Sequence, residues 1–157
     1  MEWIHFMKRE GIKRVCCLLT PEQLGYFEED LLDIYRREFG GDNLCWAPVD
    51  DFHLTERSTL LGKILPFLVA SSGKGAPVVV HCAGGMGRTG HVLAAWLVHA
   101  RGYGVKQALE EVQARDRNPF EAVQKGTATM QQLYELLRAC RRDNRGVSVD
   151  FSEFRNK

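Results

Sequence analysis

No stretch of this 157-residue chain approaches the ~18 consecutive apolar residues that a membrane-spanning helix needs. A charge excess is missing too. Lys and Arg number 21 against 20 for Asp and Glu, a formal +1, so no global field argues for nucleic acid or a membrane surface as partner. The five cysteines form no CxxC pair and no Cys/His zinc spacing, so no metal is expected. Cys16 and Cys17 are adjacent and would point to opposite faces of a strand, out of reach of one another. The thiols therefore read as buried residues of a reducing compartment, and the expected location is cytoplasmic. Met1–Glu10 is charged too early to read as a signal peptide. Repeats, low-complexity tracts and a linker rich enough to split the chain are lacking as well. What remains is near the globular average, 45% apolar and 26% charged, which excludes a wholly disordered chain, a collagen and a coiled-coil rod. One domain of this length buries roughly 70% of the surface its unfolded chain exposes, enough for a core without staples.

Apolar spacing predicts the elements. Residues 2–10 read as a short helix stopped by Gly11. Lys13 to Leu19 reads as a buried strand ended by Thr20-Pro21, where Thr20 can cap a helix with Pro21 at its first position. Leu24, Phe27, Leu31 and Ile34 then fall on one helical face, predicting a single helix closed by Gly40-Gly41. Leu44 to Val49 is a second strand and Asp50 to Leu54 a loop. From Thr55 a helical pattern runs through Leu60, Leu61, Ile64, Leu65 and Leu68, with a kink or break expected at Pro66. Ser71 to Gly75 is a predicted loop. Pro77 to His81 is a third strand, apolar throughout and therefore expected at the centre of the sheet. Helices follow from about Arg88 to Arg101, around Val105 to Val112, and from Met130 to Cys140, with Arg115 to Lys125 irregular. Residues 1–142 form the expected domain. The tail, 143–157, is polar apart from Val147, Val149, Phe151 and Phe154. Strands alternating with helices predict an α/β domain of three layers, with a central, mainly parallel sheet flanked by helices.

The chemistry concentrates where the third strand ends, in His81-Cys82-Ala83-Gly84-Gly85-Met86-Gly87-Arg88-Thr89-Gly90. Three glycines among five loop residues let the backbone curl with its N–H groups inward. The following helix adds unpaired N–H groups and the positive end of its dipole. Such a cup, from Ala83 through Gly84, Gly85, Met86 and Gly87 to Arg88, suits a tetrahedral oxyanion, above all phosphate. Cys82 lies at its floor, where the same groups favour a thiolate. Arg88 can hold two phosphate oxygens at once. A thiolate facing phosphorus is a nucleophile for phosphoryl transfer, and the Thr89 hydroxyl can stabilise it when it departs.

This His81-Cys82, five residues, Arg88-Thr89-Gly90 pattern resembles the signature of the cysteine-dependent protein tyrosine phosphatases, with the small dual-specificity-like branch the nearer match. Gly11 to Leu18 resembles the strand before that branch's core. Pro48-Val49-Asp50-Asp51-Phe52 resembles its general-acid loop, with Asp51 31 residues before the cysteine. The resemblance covers roughly residues 2–142. It implies a cysteinyl-phosphate intermediate, with one Asp first protonating the leaving oxygen and then activating water. Asp51 falls on that position and Asp50 is its neighbour. Gln124 matches, more loosely, a glutamine that positions the water. The resemblance further implies a phosphorylated protein as substrate, on tyrosine and in the dual-specificity case also on serine and threonine, with no metal or cofactor. Small members usually carry an edge strand or hairpin before the first helix, which this chain either omits or receives from another chain.

Other readings stay open at this point. Phosphoinositide and RNA 5′-phosphate phosphatases share the loop, although the uncharged Ala83 to Gly87 and the neutral net charge speak against both. Arsenate reductases and low-molecular-weight tyrosine phosphatases share the spacing but place the acid after the cysteine. A binding module without turnover would be expected to lack the Cys, the Arg or the acid. His81 reads as a structural residue that orients the loop. His5, His53, His91 and His99 read as ordinary polar residues, although His53 borders the acid loop. Phe52 reads equally as a pocket wall or a loop anchor. Met86 is expected to face away from phosphate. Trp96 and the remaining cysteines read as core, and Arg138, Arg141, Arg142 and Arg145 as cations suited to a helix C-terminus.

Overall fold

The computed structural model describes residues 2–142. The tail 143–157, with Arg145, lies outside the described residues. Three parallel strands form the sheet: β1 (Arg14–Cys17), β2 (Leu44–Trp46) and β3 (Val78–His81), in the order β2-β1-β3. β1 pairs Val15 with Leu44 and Cys17 with Trp46 on one side, and Arg14 with Val78 and Cys17 with His81 on the other. The single α/β domain and the three layers agree with expectation. The central strand does not: β1, not β3, lies in the middle. The reason is that β3 is covered on both faces, which makes it apolar throughout, but burial of faces says nothing about whether an edge has a neighbour.

The strand period of two distributes β1 between two cores. Cys16 and Leu18 enter the larger one, with Ile64, Leu68, Val92, Val98, Leu109, Leu133 and Leu137. Val15, Cys17 and Leu19 enter the smaller one, with Ile4, Met7, Leu31, Ile34 and Tyr35. The smaller layer comprises α1 (Glu2–Arg9) and α3 (Leu31–Phe39). The larger comprises α5 (Leu65–Gly73), α6 (Gly87–Arg101), α7 (Val105–Ala114) and α9 (Met130–Ala139). Among the described residues the cysteines form no disulfide, and all five are buried.

The helix expected across Leu24 to Ile34 is two. α2 (Pro21–Leu24) starts at a Thr20 capping box and stops at Gly25. α3 starts at Asp30, whose carboxylate accepts from the N–H of Leu32 at 3.0 Å and of Asp33 at 3.2 Å. The apolar spacing bridged two faces that share no axis, and Phe27 is left 42% exposed. The helix from Arg57 is not broken at Pro66 either. α4 (Arg57–Thr59) runs into a π-helical turn, Leu60–Ile64, and then into α5. A wider turn accommodates a proline that lacks an N–H and crowds the carbonyl four residues earlier. α5 then continues to Gly73, three residues into the predicted loop.

Asp30→Ala removes the side-chain cap of α3 and is expected to cost about 1 kcal/mol of stability, read from urea unfolding; no loss would mean that packing of Leu31 and Tyr35 alone sets the start of α3.

Candidate active site

β3 delivers Cys82 to the turn that opens α6. Cys82 is 8% exposed, and its sulfur accepts from the Gly85 N–H at 3.2 Å and the Thr89 hydroxyl at 3.1 Å. Met86 precedes α6 without capping it by its side chain, so the first-turn N–H groups of Gly87, Arg88 and Thr89 lack an intrahelical or capping partner. Met86 itself is 40% exposed, on the outside of the turn. Gly85 has φ +70, the left-handed region that curls the loop. Gly87 and Gly90 serve a different need. A Cβ at Gly90 would lie 3.1 Å from the Pro119 nitrogen and 3.2 Å from the Asn118 carbonyl carbon. A Cβ at Gly87 would lie 2.6 Å from Glu121 Cβ. The 117–121 segment thus packs directly on the first turns of α6. The region expected to be irregular is this buttress, followed by the short helix α8 (Glu121–Gln124).

Arg88 is almost fully buried at 3% exposure, yet its guanidinium has three acceptors. Nη1 donates to the Val49 carbonyl at 2.9 Å and to Gln23 Oε1 at 2.8 Å, and Nη2 lies 3.4 Å from Asp51 Oδ1. The structure therefore brings Cys82, Arg88, Thr89 and Asp51 together. Asp50 is exposed, and its backbone carbonyl accepts from the His53 N–H at 3.1 Å. Gln124 is not joined to this group. Its Oε1 accepts from Asn118 Nδ2 at 2.8 Å, so it is tied to the buttress rather than to the sulfur or the guanidinium.

The loop of residues 50–54 is anchored on both sides. Phe52 has φ 63, uncommon for a bulky residue, and its carbonyl accepts from the Thr127 hydroxyl. Its ring lies 4.9 Å from Lys125 Nζ, and it behaves as an anchor. His53 Nδ1 donates to the Asp51 carbonyl at 2.8 Å.

Three residues matter here that the sequence did not single out. Gln23 links the α2 capping box to Arg88, and the Thr20-Pro-Glu-Gln23 pattern was its available signal. Arg117 reaches 3.9 Å from where a Cβ on Gly85 would lie, adding a cation at the rim. His91 is the third. It is 1% exposed; its Nδ1–H donates to the Gly87 carbonyl at 3.0 Å and its Nε2 accepts from the Thr55 N–H at 3.0 Å. It joins Thr55, at the exit of the 50–54 loop, to the first turn of α6. Burial pushes its pKa down to about 4. His81 matches expectation. Its Nε2 meets the Tyr35 hydroxyl at 2.9 Å and its Nδ1 the Cys82 carbonyl at 3.4 Å, with Trp3 Nε1 donating to Tyr35 at 2.9 Å. Burial pushes its pKa down as well. Among the described residues no group of three metal-binding side chains is present, and no helix is long and apolar enough to cross a membrane.

Comparison with known proteins agrees with this geometry. Residues 28–139 match the family model of the dual specificity phosphatase catalytic domain. A 70-residue stretch is 29% identical to Dual specificity protein phosphatase 5 of Homo sapiens, covering 45% of this chain and 18% of that protein. The match thus spans about a fifth of the length of that relative. The crystal structure of Tk-PTP in the active form is similar at 27% identity and a TM-score of 0.68, over 88% of this chain and 84% of that one. PTPMT1 in complex with PI(5)P shares the fold at 15% identity and a TM-score of 0.66, over 87% of this chain and 83% of that one.

Two predictions follow from the packing and the buried imidazoles. Gly90→Ala is expected to lower stability by about 1–3 kcal/mol, because the neighbouring atoms are backbone. Gly84→Ala, which meets nothing within 4 Å and has no positive φ, is expected to leave the melting temperature unchanged. Equal melting of the two would remove the buttress as the reason for Gly90. The second concerns pH. His91 is held neutral in the fold at a pKa below its unfolded value of about 6.5, so its contribution is complete above that value. It is lost as pH falls toward 4, where the unfolded state binds more protons. Stability is expected to decline across that window, and His91→Gln to flatten the decline; an equal slope in both proteins would assign the loss elsewhere.

Proposed function

The chain belongs to the dual specificity phosphatase catalytic-domain family, and on that premise we propose that it hydrolyses phosphotyrosine in proteins, with phosphothreonine and phosphoserine as further substrates of the same site. The observation that carries this reading is the convergence on one turn of a donor-lined sulfur, Cys82, and a buried guanidinium, Arg88, that also meets the Asp51 carboxylate. In the first step the Cys82 thiolate attacks phosphorus. The bond from phosphorus to the tyrosine or threonine oxygen breaks, and the Asp51 carboxyl gives its proton to that oxygen. In the second step the Asp51 carboxylate takes a proton from water as the water oxygen bonds to phosphorus. The S–P bond breaks, inorganic phosphate leaves, and the thiolate re-forms against the Thr89 hydroxyl. Arg88 and the N–H groups from Ala83 to Arg88 carry the phosphate charge throughout, so no metal is called for. Gln124 would help position water only through Asn118, to which it is bonded.

The choice of Asp51 over Asp50 rests on reach, since Asp51 is the one beside Arg88. Matched phosphotyrosine and phosphothreonine peptides are the substrates for the test, with Cys82→Ser as the blank. Asp51→Asn is expected to slow turnover by on the order of 10²-fold or more while phosphate still binds, and Asp50→Asn to leave turnover near the parent rate. A dead Asp50 variant beside an active Asp51 variant would reverse the assignment. Phosphate release no faster than the Cys82→Ser blank from both peptides would exclude protein as the substrate class.

A further inference from the structure

α6 buries only part of its apolar surface. Val92, Ala95 and Val98 are fully buried, whereas Leu93, Trp96 and Leu97 are half-buried. These last three floor a groove of about 540 Å³ between α6 and α7, continued by Tyr103 and Val112. α7 follows α6 after the short link 102–104 and runs back along it toward the Cys82 turn.

The rim of the groove is basic, in a chain whose net charge is close to zero. Arg101, Arg115 and Arg117 line it against one carboxylate, Glu111, which Arg115 holds at 3.1 Å. Arg101 and Arg117 have no carboxylate partner among the described residues. The C-terminal ends of α6 and α7 account for cations at Arg101 and Arg115. They account neither for the aromatic floor between these residues nor for Arg117, which lies beyond both helices. A cationic rim over an apolar floor suits a ligand that is acidic and also carries a large apolar side chain.

Arg117 connects the groove to the reaction. A second cavity, of about 620 Å³, has Cys82, Gly84, Gly85 and Thr89 in its wall, and Arg117 lines that cavity and the groove alike. One end of the groove therefore adjoins the Cys82 turn, while Arg101 and Tyr103 mark the far end. Leu93 to Arg101 spans about 12 Å along α6, which an extended peptide covers with about four residues. A chain whose phosphoresidue faces Cys82 can lay its neighbouring residues here.

We propose that the groove between α6 and α7 binds an acidic segment of the phosphoprotein substrate, about four residues beside the phosphoresidue, with carboxylates against Arg101 and Arg117 and an apolar side chain over Trp96 and Leu97. This rests on a phosphorylated protein being the substrate. The groove selects among phosphoproteins by affinity, and the turn carries out the reaction.

Steady-state hydrolysis of paired phosphotyrosine peptides tests this. One peptide carries three glutamates and a leucine beside the phosphoresidue, the other three glutamines and a leucine, and each pair is made with that segment on the N-terminal and on the C-terminal side. The expected result is a KM about tenfold lower for the glutamate peptide on one side with kcat unchanged, since the groove holds substrate and transition state equally. Arg101→Glu is expected to abolish the difference and Arg101→Lys to keep it. Both variants are expected to hydrolyse a small aryl phosphate, too short to reach the groove, at the parent rate, which reports an intact fold and intact chemistry. Arg9→Glu, on the opposite layer, controls for charge acting at a distance and is expected to keep the difference. Equal KM values for the glutamate and glutamine peptides on both sides overturn the proposal and leave the substrate class standing. A difference that survives in Arg101→Glu, or that is lost equally in Arg9→Glu, overturns it as well. Hydrolysis of no peptide above the Cys82→Ser blank overturns the substrate class, and this proposal with it.

Discussion

The rest of the structure depends on the uncapped N-terminus of α6 held directly beneath a strand end. A helix start leaves its first N–H groups without partners, and a buried one normally recruits a side-chain cap. Met86 supplies none. The sulfur of Cys82 takes up the nearby Gly85 N–H and the Thr89 hydroxyl, leaving a turn whose polar groups suit a tetrahedral anion. Each neighbouring element then serves to keep that turn in place. The 117–121 segment presses on it through the absence of a Cβ at Gly87 and Gly90. The Trp3–Tyr35–His81 chain holds it from the smaller core. His91 ties it to Thr55.

The buried cation imposes a second requirement. A guanidinium 3% exposed costs far more than surface charges do unless its donors are occupied, and Arg88 meets that cost with three acceptors from two places in the chain. Gln23 ends the α2 capping box, and Val49 and Asp51 lie together on the segment that follows β2. The same contacts that make Arg88 tolerable in the interior hold the Asp51 loop against its guanidinium. Asp50 and Asp51 are both exposed, but only Asp51 has its carboxylate beside Arg88, just before Phe52 takes its positive φ. Folding and site assembly are therefore one event at this point.

What was legible in the sequence follows this division. The apolar strand, the glycine turn and the Cys82–Arg88–Thr89 spacing are local, and local order suffices to read them. The two cores were legible in part, because the alternation in β1 and the periodicity in α6 and α9 are also local. The order of the strands was not, since β3 carries apolar residues for its faces and none of them records whether an edge is paired. The split between α2 and α3 was hidden by Leu24, Phe27, Leu31 and Ile34, which imitate one face across two helices, while Asp30, the cap that separates them, looks like any surface acid. Gln23 and His91 escaped because their importance is a matter of partners 65 and 36 residues away, and no spacing rule reports those.

Burial also separates two tasks within the site. The groups placed to meet a phosphoryl group are enclosed and tied down: Cys82 at 8% exposure, and Arg88 and Thr89 at 3%. Side chains on the surrounding segments are open: Phe52 at 41%, Met86 at 40%, Tyr26 at 75%. Preorganised donors act most strongly where water is excluded, so the chemistry of the turn is fixed by the interior of the fold. The exposed ring of side chains can change without disturbing the hydrogen bonds beneath it. The hydrogen bonds of the strand-to-helix turn are thus set by the interior, while the side chains on the surrounding loops face solvent. The two meet at Asp51, whose carboxylate is half exposed and in contact with Arg88 below.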